Sequence, residues 1–474
     1  MTLVNTHHKT LPTRFIAIAL LASMAPTIGF AQEYHEQLIV SGSRIETSAT
    51  NLPGSHYAIE AEELTQRAKQ SAIDLLRIVP GIKIGQQGGA GGVSVLYLRG
   101  GEPNFTAVMI DGVMVNDPTN SRGGSFDFSS LSLSAIERIE LVNGPGSALY
   151  GSGPLSGSIN IITRSATRDE GHSISAAAGA DGYWTGQFST AGELGETNYR
   201  LTLGSSDFGE QTPGSTFDSH YASGKLTTRA LNAAVSWAFR YADSSRTSFP
   251  EDSGGPQLAV IRALDEEQLL DFSTALRADW QLHDSLSAYT KFSWYSHEGD
   301  FFSPGIEAPF GGVPLRGDDT EYERTDLEAV LLWSAHDILD LVTGLNAQWE
   351  DGKNDGFLIF DAVETDFALD RESLGLMFEA RLSPTENLTL SAGVRVDDAD
   401  SAGTQTNHAM GAVWQLGDSG SSMYANFATG FKLPSFFALG HALVGNPDLV
   451  PEESETWQLG LRSQLMQQRL SLAV

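Results

Sequence analysis

Two pairs in the chain have the residue types of an acid–base relay, His283-Asp284 and His336-Asp337. An imidazole beside a carboxylate activates a nucleophile only when one lies within hydrogen-bond reach. Each pair sits in a short polar turn, the first His283-Asp284-Ser285, and no convincing nucleophile–base pair lies on a strand, so both read as turn residues. The chain has no HExxH. Gly88 to Gly92 (GGAGG) leads into a strand-like run rather than a helix, and Gly151 to Ser158 (GSGPLSGS) lacks the Gly-Lys of a phosphate loop. Two acidic stretches, Gly317 to Glu323 (GDDTEYE) and Glu350 to Asp355 (EDGKND), read as loops whose clustered oxygens have the chemistry of a Ca²⁺ ligand set, with a solvated loop as the simpler reading. No catalytic residue and no metal ligand is assigned, and loop Ca²⁺ is the one cofactor considered.

The remaining charges with a pattern are Arg99, Glu137, Arg138 and Glu140, set in apolar strand-like runs. Buried charge is tolerated when paired, so these four are expected to pair with one another or with a polar surface around them. The chain as a whole carries 59 acidic and 29 basic residues, a formal charge of -30. That excludes nucleic acid and a basic patch for anionic lipid as partners. It contains no cysteine, hence no disulfide or thiol chemistry.

Several kinds of element position these residues. Lys9 and Arg14 precede an apolar run, Phe15 to Ala25, followed by Gly29-Phe30-Ala31. This is a secretory signal with cleavage before Gln32, and the run is too short to span a bilayer. Residues to about Ser165 form a compact mixed region. Helices are expected at Glu60 to Lys69 and at Ser71 to Val79, where Pro80-Gly81 stops the second. Strands are expected at Val93 to Arg99, Phe105 to Ile110, Val113 to Val115, Ile136 to Val142 and Ser158 to Arg164, with a turn at Asp111-Gly112. From His172 the pattern changes to alternating segments of roughly ten residues. In Leu286 to His297, Leu286, Ala288, Phe292 and Trp294 share one face, while Ser287, Tyr289, Lys291, Ser293, Tyr295 and His297 share the other. Short connections (at His283, His336, Pro384 and Gly417) alternate with long ones (244–268, 299–320, 351–370 and 432–453). No apolar run after Ala31 is long enough for a membrane helix, so any spanning falls to strands closed into a barrel. Tilted ten-residue strands fit an apolar band about 25 Å tall, with short turns at one end and long loops at the other. The expected fold is a transmembrane antiparallel β-barrel with an N-terminal mixed α/β domain.

Leu96 to Asp111 (LYLRGGEPNFTAVMID), Gly112, and Ile136 to Thr163 (IERIELVNGPGSALYGSGPLSGSINIIT) resemble the plug of TonB-dependent outer-membrane receptors. Asn446 to Trp457 (NPDLVPEESETW) is similar to a late-barrel motif of that family. The resemblance divides the chain into a signal (1–31), a TonB-box segment (32–45), a plug domain in the lumen (46–165) and a barrel (170–474). It implies that Gln37, Leu38, Ile39, Val40 and Ser41 bind TonB. It also implies that Arg99, Gly100, Asp111, Gly112, Glu137, Arg138, Glu140, Gly144, Pro145, Tyr150 and Gly151 form the plug's core and gating parts. The family commonly has Arg where this chain has Asn143, so any ion pair made by that Arg does not carry over.

By the same resemblance the protein sits in the bacterial outer membrane, in contact with its lipid. Its expected partners are TonB with the inner-membrane proton-motive complex, and a small-molecule or metal-chelate ligand. It would import a scarce, large nutrient, cobalamin or a ferric siderophore. The run RGGEPNFTAVMIDGV (99–113) is more similar to cobalamin transporters than to siderophore ones. A surface receptor or signal transducer of the same architecture is the alternative, and an enzyme is not expected. About fourteen strands are counted from His172, with another beginning at Leu470. Plugged transporters have 22 strands, so C-terminal strands are expected to be missing and the wall to be unclosed. Leu38 to Val40 is expected to be a lone strand with no partner inside the chain.

Overall fold

The structure, a computed structural model, describes residues 38–39, 42–45, 47–60, 72–86, 92–131, 135–165, 171–359, 363–417, 420–465 and 470–473. The signal, Gln37, Val40, Ser41, Ser71, the expected helix beyond Glu60 and the glycines at 88–91 lie outside them.

β1 (Leu38–Ile39) is not a lone strand. It pairs antiparallel with β2 (Thr47–Ser48), Leu38 opposite Ser48 and Ile39 opposite Thr47. The expectation of an unpaired edge is corrected: the chain doubles back within eight residues. A ladder of two pairs from a Thr-Ser dipeptide leaves no alternation to detect. Glu60 is likewise a strand residue, closing β3 (His56–Glu60).

The plug is built from β3, α1 (Ala72–Leu76), β4 (Ile82–Gln86), β5 (Ser94–Leu98), β6 (Thr106–Ile110), β7 (Val113–Met114), β8 (Ile136–Asn143), α2 (Ser147–Tyr150) and β9 (Gly157–Thr163). The expected strands all form, each within a residue or two of its predicted ends. Five make a sheet in the order β3-β8-β9-β6-β7, with β6 and β9 parallel, and β4 pairs with β5. Alternate apolar residues of the sheet, Val108, Ile110, Ile139, Leu141, Ile159 and Ile161, pack with Leu75, Leu76, Leu96 and Leu98 in one core. Each such side chain contributes about 1.5–3 kcal/mol by leaving water. Asp111 (φ 49°) and Gly112 (φ 77°) both adopt left-handed backbone and make the two-residue β6–β7 turn.

The second region is one antiparallel sheet. Its ladder runs in chain order through β10 (His172–Ala178), β11 (Trp184–Leu194), β12 (Thr197–Asp207), β13 (Thr216–Ala230), β14 (Ala233–Ser248), β15 (Asp265–His283), β16 (Leu286–Ser303), β17 (Arg316–His336) and β18 (Leu339–Leu358). It continues through β20 (Phe367–Thr385), β21 (Leu388–Ala399), β22 (Gly403–Gln415), β23 (Ser421–Lys432), β24 (Glu452–Leu465) and β25 (Leu470–Ala473), with β19 (Val363–Glu364) added beside β18. Fourteen strands from His172 and a further one at Leu470 match the count made from sequence. Among the described residues no ladder joins β10 to β25.

The strands are longer than ten residues: β17 has 21. On β17 the outward residues Leu327, Leu331 and Trp333 are exposed, while Tyr322, Arg324, Asp326, Glu328 and Val330 face inward and are buried. Further along, the outward positions become Glu321 and Glu323. Polar residues on both faces mark strand that has left the apolar belt, and that is where alternation stops announcing it. The acidic stretches 317–323 and 350–355 are therefore strand, not loop. Lys353 bridges Glu321 (3.1 Å) and Asp355 (3.3 Å) across them, and Glu350 is buried against Arg371 (3.3 Å). On β16, Phe292 is exposed and Tyr289, Ser293 and Tyr295 are buried, as their alternation requires.

The sheet wraps the plug. Side chains of β13, β14, β16, β20, β21, β22 and β24 each donate to plug or N-terminal segment atoms. Short connections at 231–232, 284–285, 337–338 and 386–387 alternate with long ones at 249–264, 304–315, 359–366 and 433–451.

Candidate functional site

Three seams join plug to wall, and the sequence-predicted residues fall on them unequally. The first holds the segment that follows β1. The Arg44 backbone N–H donates to Glu379 Oε2 (3.1 Å), and Ser43 Oγ donates to Glu379 Oε1. The Arg44 guanidinium pairs with Glu328 (2.6 Å), donates to the Leu149 carbonyl (3.1 Å) and lies over the Tyr150 ring. Two wall carboxylates, on β17 and β20, thus grip one residue just downstream of the expected TonB box. None of these was singled out from sequence except Tyr150. Their signal is a Glu at a lumen-facing position of an otherwise apolar run, TDLEAVLLW.

The second seam is the β6–β7 turn. Asp111 accepts from Thr163 N (3.1 Å) and Thr163 Oγ1, which ties the turn to β9. Lys225 on β13 donates to Asp111 (3.3 Å), and Lys291 on β16 donates to the Gly112 carbonyl (2.9 Å). Lys291 also lies 3.7 Å from Glu328, the carboxylate that holds Arg44. The two seams share a residue.

The third seam is the turn after β8. Gly144 (φ 97°) and Pro145 lead into α2, which Gly151 (φ 76°) ends. Ser147 exchanges hydrogen bonds with the backbone of Phe431. Gly151 faces the Arg395–Asp397 pair so closely that a Cβ there would lie 3.1 Å from Arg395 Nη2. At Asn143 the contact to the wall is a hydrogen bond, Gln458 Nε2 to the Asn143 carbonyl (3.2 Å). Arg462 of β24 donates to the carbonyls of Ala49, Leu52 and Gly54.

The four patterned charges divide. Arg138 pairs with Glu140 (2.8 Å), whose side chain is fully buried. Glu137 accepts from Ser165 N and Oγ. Arg99 departs from expectation. It is exposed, at φ 51° in a turn with Gly100 (φ 81°), and makes no ion pair among the described residues. Its backbone N–H donates to Gly81 (2.7 Å), so its position follows from the turn and not from its charge.

Near the third seam, burial and then the neighbouring Arg462 guanidinium push the His56 imidazole down to about 4. The folded value lies below the unfolded one of about 6.5. His56 therefore favours the folded plug fully above pH of about 6.5, and this is lost as pH falls through about 4. A histidine ring titration by NMR should find His56 neutral at pH of about 5, and His56→Asn should flatten the acid side of the stability profile. A normal midpoint near 6.5 would contradict this.

At the long-loop end, opposite the Arg44 seam, the wall and the plug surface enclose a cavity of about 1230 Å³. Plug residues 115–127 form its floor, and loops around 249–256 and 306–313 form its sides. The floor meets the wall where His297 sits between Asp271 (2.9 Å) and Asp117 (3.9 Å), with Tyr295 donating to Asp271. Ligand pockets for drug-sized molecules span about 300–1,000 Å³, so this chamber suits a larger solute. Among the described residues no group of three or more His, Asp or Glu could hold a metal ion, and no helix is long and apolar enough to cross a membrane.

A strand wall, apolar outside and charged inside, wrapped on a plug whose apolar core reaches wall residues Tyr295, Tyr322 and Phe367, is the architecture of a plugged outer-membrane barrel. Residues 48–158 match the TonB-dependent Receptor Plug Domain, and residues 176–474 match the TonB dependent receptor-like β-barrel. The chain belongs to the TonB-dependent receptor family. It is 27% identical over 463 residues to the vitamin B12 transporter BtuB of Vibrio vulnificus, covering 94% of this chain and 71% of that one. Over 461 residues it is 27% identical to BtuB of Photobacterium profundum, covering 94% and 70%. Among solved structures, Pseudomonas aeruginosa FpvA bound to heterologous pyoverdines superposes with a TM-score of 0.74 at 16% identity, over 92% of this chain and 64% of that one. The siderophore receptor PiuA of Acinetobacter baumannii gives 0.71 at 17%, over 92% and 74%. The chain therefore spans about two thirds to three quarters of these relatives. The family consists of outer-membrane transporters and receptors rather than enzymes, and the protein is an outer-membrane barrel protein.

Proposed function

We propose that the protein imports a large, scarce nutrient across the outer membrane, with the plug gating the lumen and TonB supplying the energy from the periplasm. The observation that carries this is the opposition of two sites. The large chamber lies at the long-loop end. The segment after β1, held by Glu328 and Glu379, lies toward the short-turn end. A solute bound in the chamber has the plug below it, and a pull on residues 37–41 is delivered to the far side of that plug. No bond-making step is required; the event is an order change in the N-terminal segment. The relatives support a cobalamin-like solute first and a ferric siderophore second. Growth of a deletion strain on limiting cobalamin and on limiting iron tests both. A defect on one identifies the class, and normal growth on both removes both.

A further inference from the structure

We propose that the outer chamber takes a solute that is neutral or cationic and presents N–H donors, and that it rejects polyanionic metal chelates. This rests on the import reading and narrows its substrate. Eight carboxylates line the chamber against three guanidinium groups. The guanidinium groups already have partners. Arg246 pairs with Asp127 and Glu267, Arg122 has Glu251 at 3.9 Å, and Arg316 lies over the Phe301 ring at 4.9 Å. A chelate carrying several negative charges would enter a field of its own sign in which two of the three guanidinium groups are already paired with carboxylates, and a cleft with low-dielectric walls focuses that field.

Acceptors, by contrast, are waiting. Asp265 and Asp318, both half-buried, and Asp252, which is exposed, line the chamber with carboxylate oxygens. An amide or ammonium N–H from the solute would donate to these oxygens. Phe249 and Phe310 offer ring faces in the same cavity, and such faces attract cations and flat uncharged surfaces but not anions.

The test is binding to the whole protein in lipid nanodiscs, with no energy coupling present. Three probes are compared: cyanocobalamin, a cationic iron(III) trihydroxamate and a trianionic iron(III) tris-catecholate. The expected result is that one or both of the first two bind, and that the trianion binds at least about ten-fold more weakly in low salt, the gap narrowing as salt screens the chamber. Asp265→Asn combined with Asp318→Asn should tighten the trianion about ten-fold and weaken the cation. Equal or tighter binding of the trianion overturns the proposal. So does a failure of both other probes, or a salt-independent ranking. The salt series on the unaltered protein stands even where the double variant does not fold. Failure of the import reading would look different, as normal binding with no uptake dependent on residues 37–41.

Discussion

Ile39→Pro should reduce uptake to that of a strain lacking the protein while leaving solute affinity within about two-fold of normal. Proline fixes φ and removes a backbone donor. A partner that adds its own strand to this segment binds through main-chain groups and needs little from side chains, so losing one donor in so short a strand removes much of the recognition. In the resting structure residue 39 stands opposite Thr47, and that ladder of two pairs must open before another protein can use the same edge. The solute chamber is at the other end of the molecule and contains none of these atoms. Uptake of labelled solute and binding to purified protein, measured in parallel, separate the two. Undiminished uptake would remove residues 37–41 as the coupling site.

Glu328→Ala should release the segment around Arg44 from the wall. Glu328 is buried and serves two cations, Arg44 at 2.6 Å and Lys291 at 3.7 Å. Removing one partner of a buried pair costs about 3–5 kcal/mol, because the charge left behind has no solvent to receive it. Amide exchange at residues 42–48 should accelerate roughly a hundred-fold. Arg44→Met alone should do less, since Glu328 keeps Lys291. The double variant should be less severe than the sum of the two, because the orphaned guanidinium is gone. Unchanged exchange in Glu328→Ala would show that Glu379 and the Leu149 carbonyl hold the segment without it.

The plug was legible because its elements are short and punctuated. Asp111-Gly112 announces its turn, and IERIELV alternates on the strand it forms. The wall was legible only within its apolar belt. Phe292 and Trp294, or Leu327 and Leu331, reveal a strand because lipid demands apolar residues on one face. Asp318 to Glu323 continue the same strand where water bathes the outer face and polar residues suit both sides, so they read as loop. The seams were the least legible. Glu328 and Glu379 both lie more than 280 residues beyond Arg44 in sequence, and only a folded sheet tells which lumen-facing charge meets which plug atom. Arg99 shows the converse error. A charge in a strand-like run looked buried, but the run ends one residue earlier at Leu98, and turn geometry places Arg99 in solvent.

Lys291 touches the Gly112 carbonyl and lies beside the carboxylate that holds Arg44. In mechanical terms the two attachments are coupled in series. A tension applied upstream of Arg44 loads the guanidinium–carboxylate joint first. The β6–β7 turn feels nothing until that joint yields. When it does, Glu328 is left to Lys291 alone, and a lysine drawn toward that carboxylate holds the Gly112 carbonyl less firmly, so the anchorage of the turn weakens without being pulled. If the segment is pulled as proposed, a sequence of small yields, each lowering the threshold of the next, would open the lumen with less force than a single rigid fastening would need.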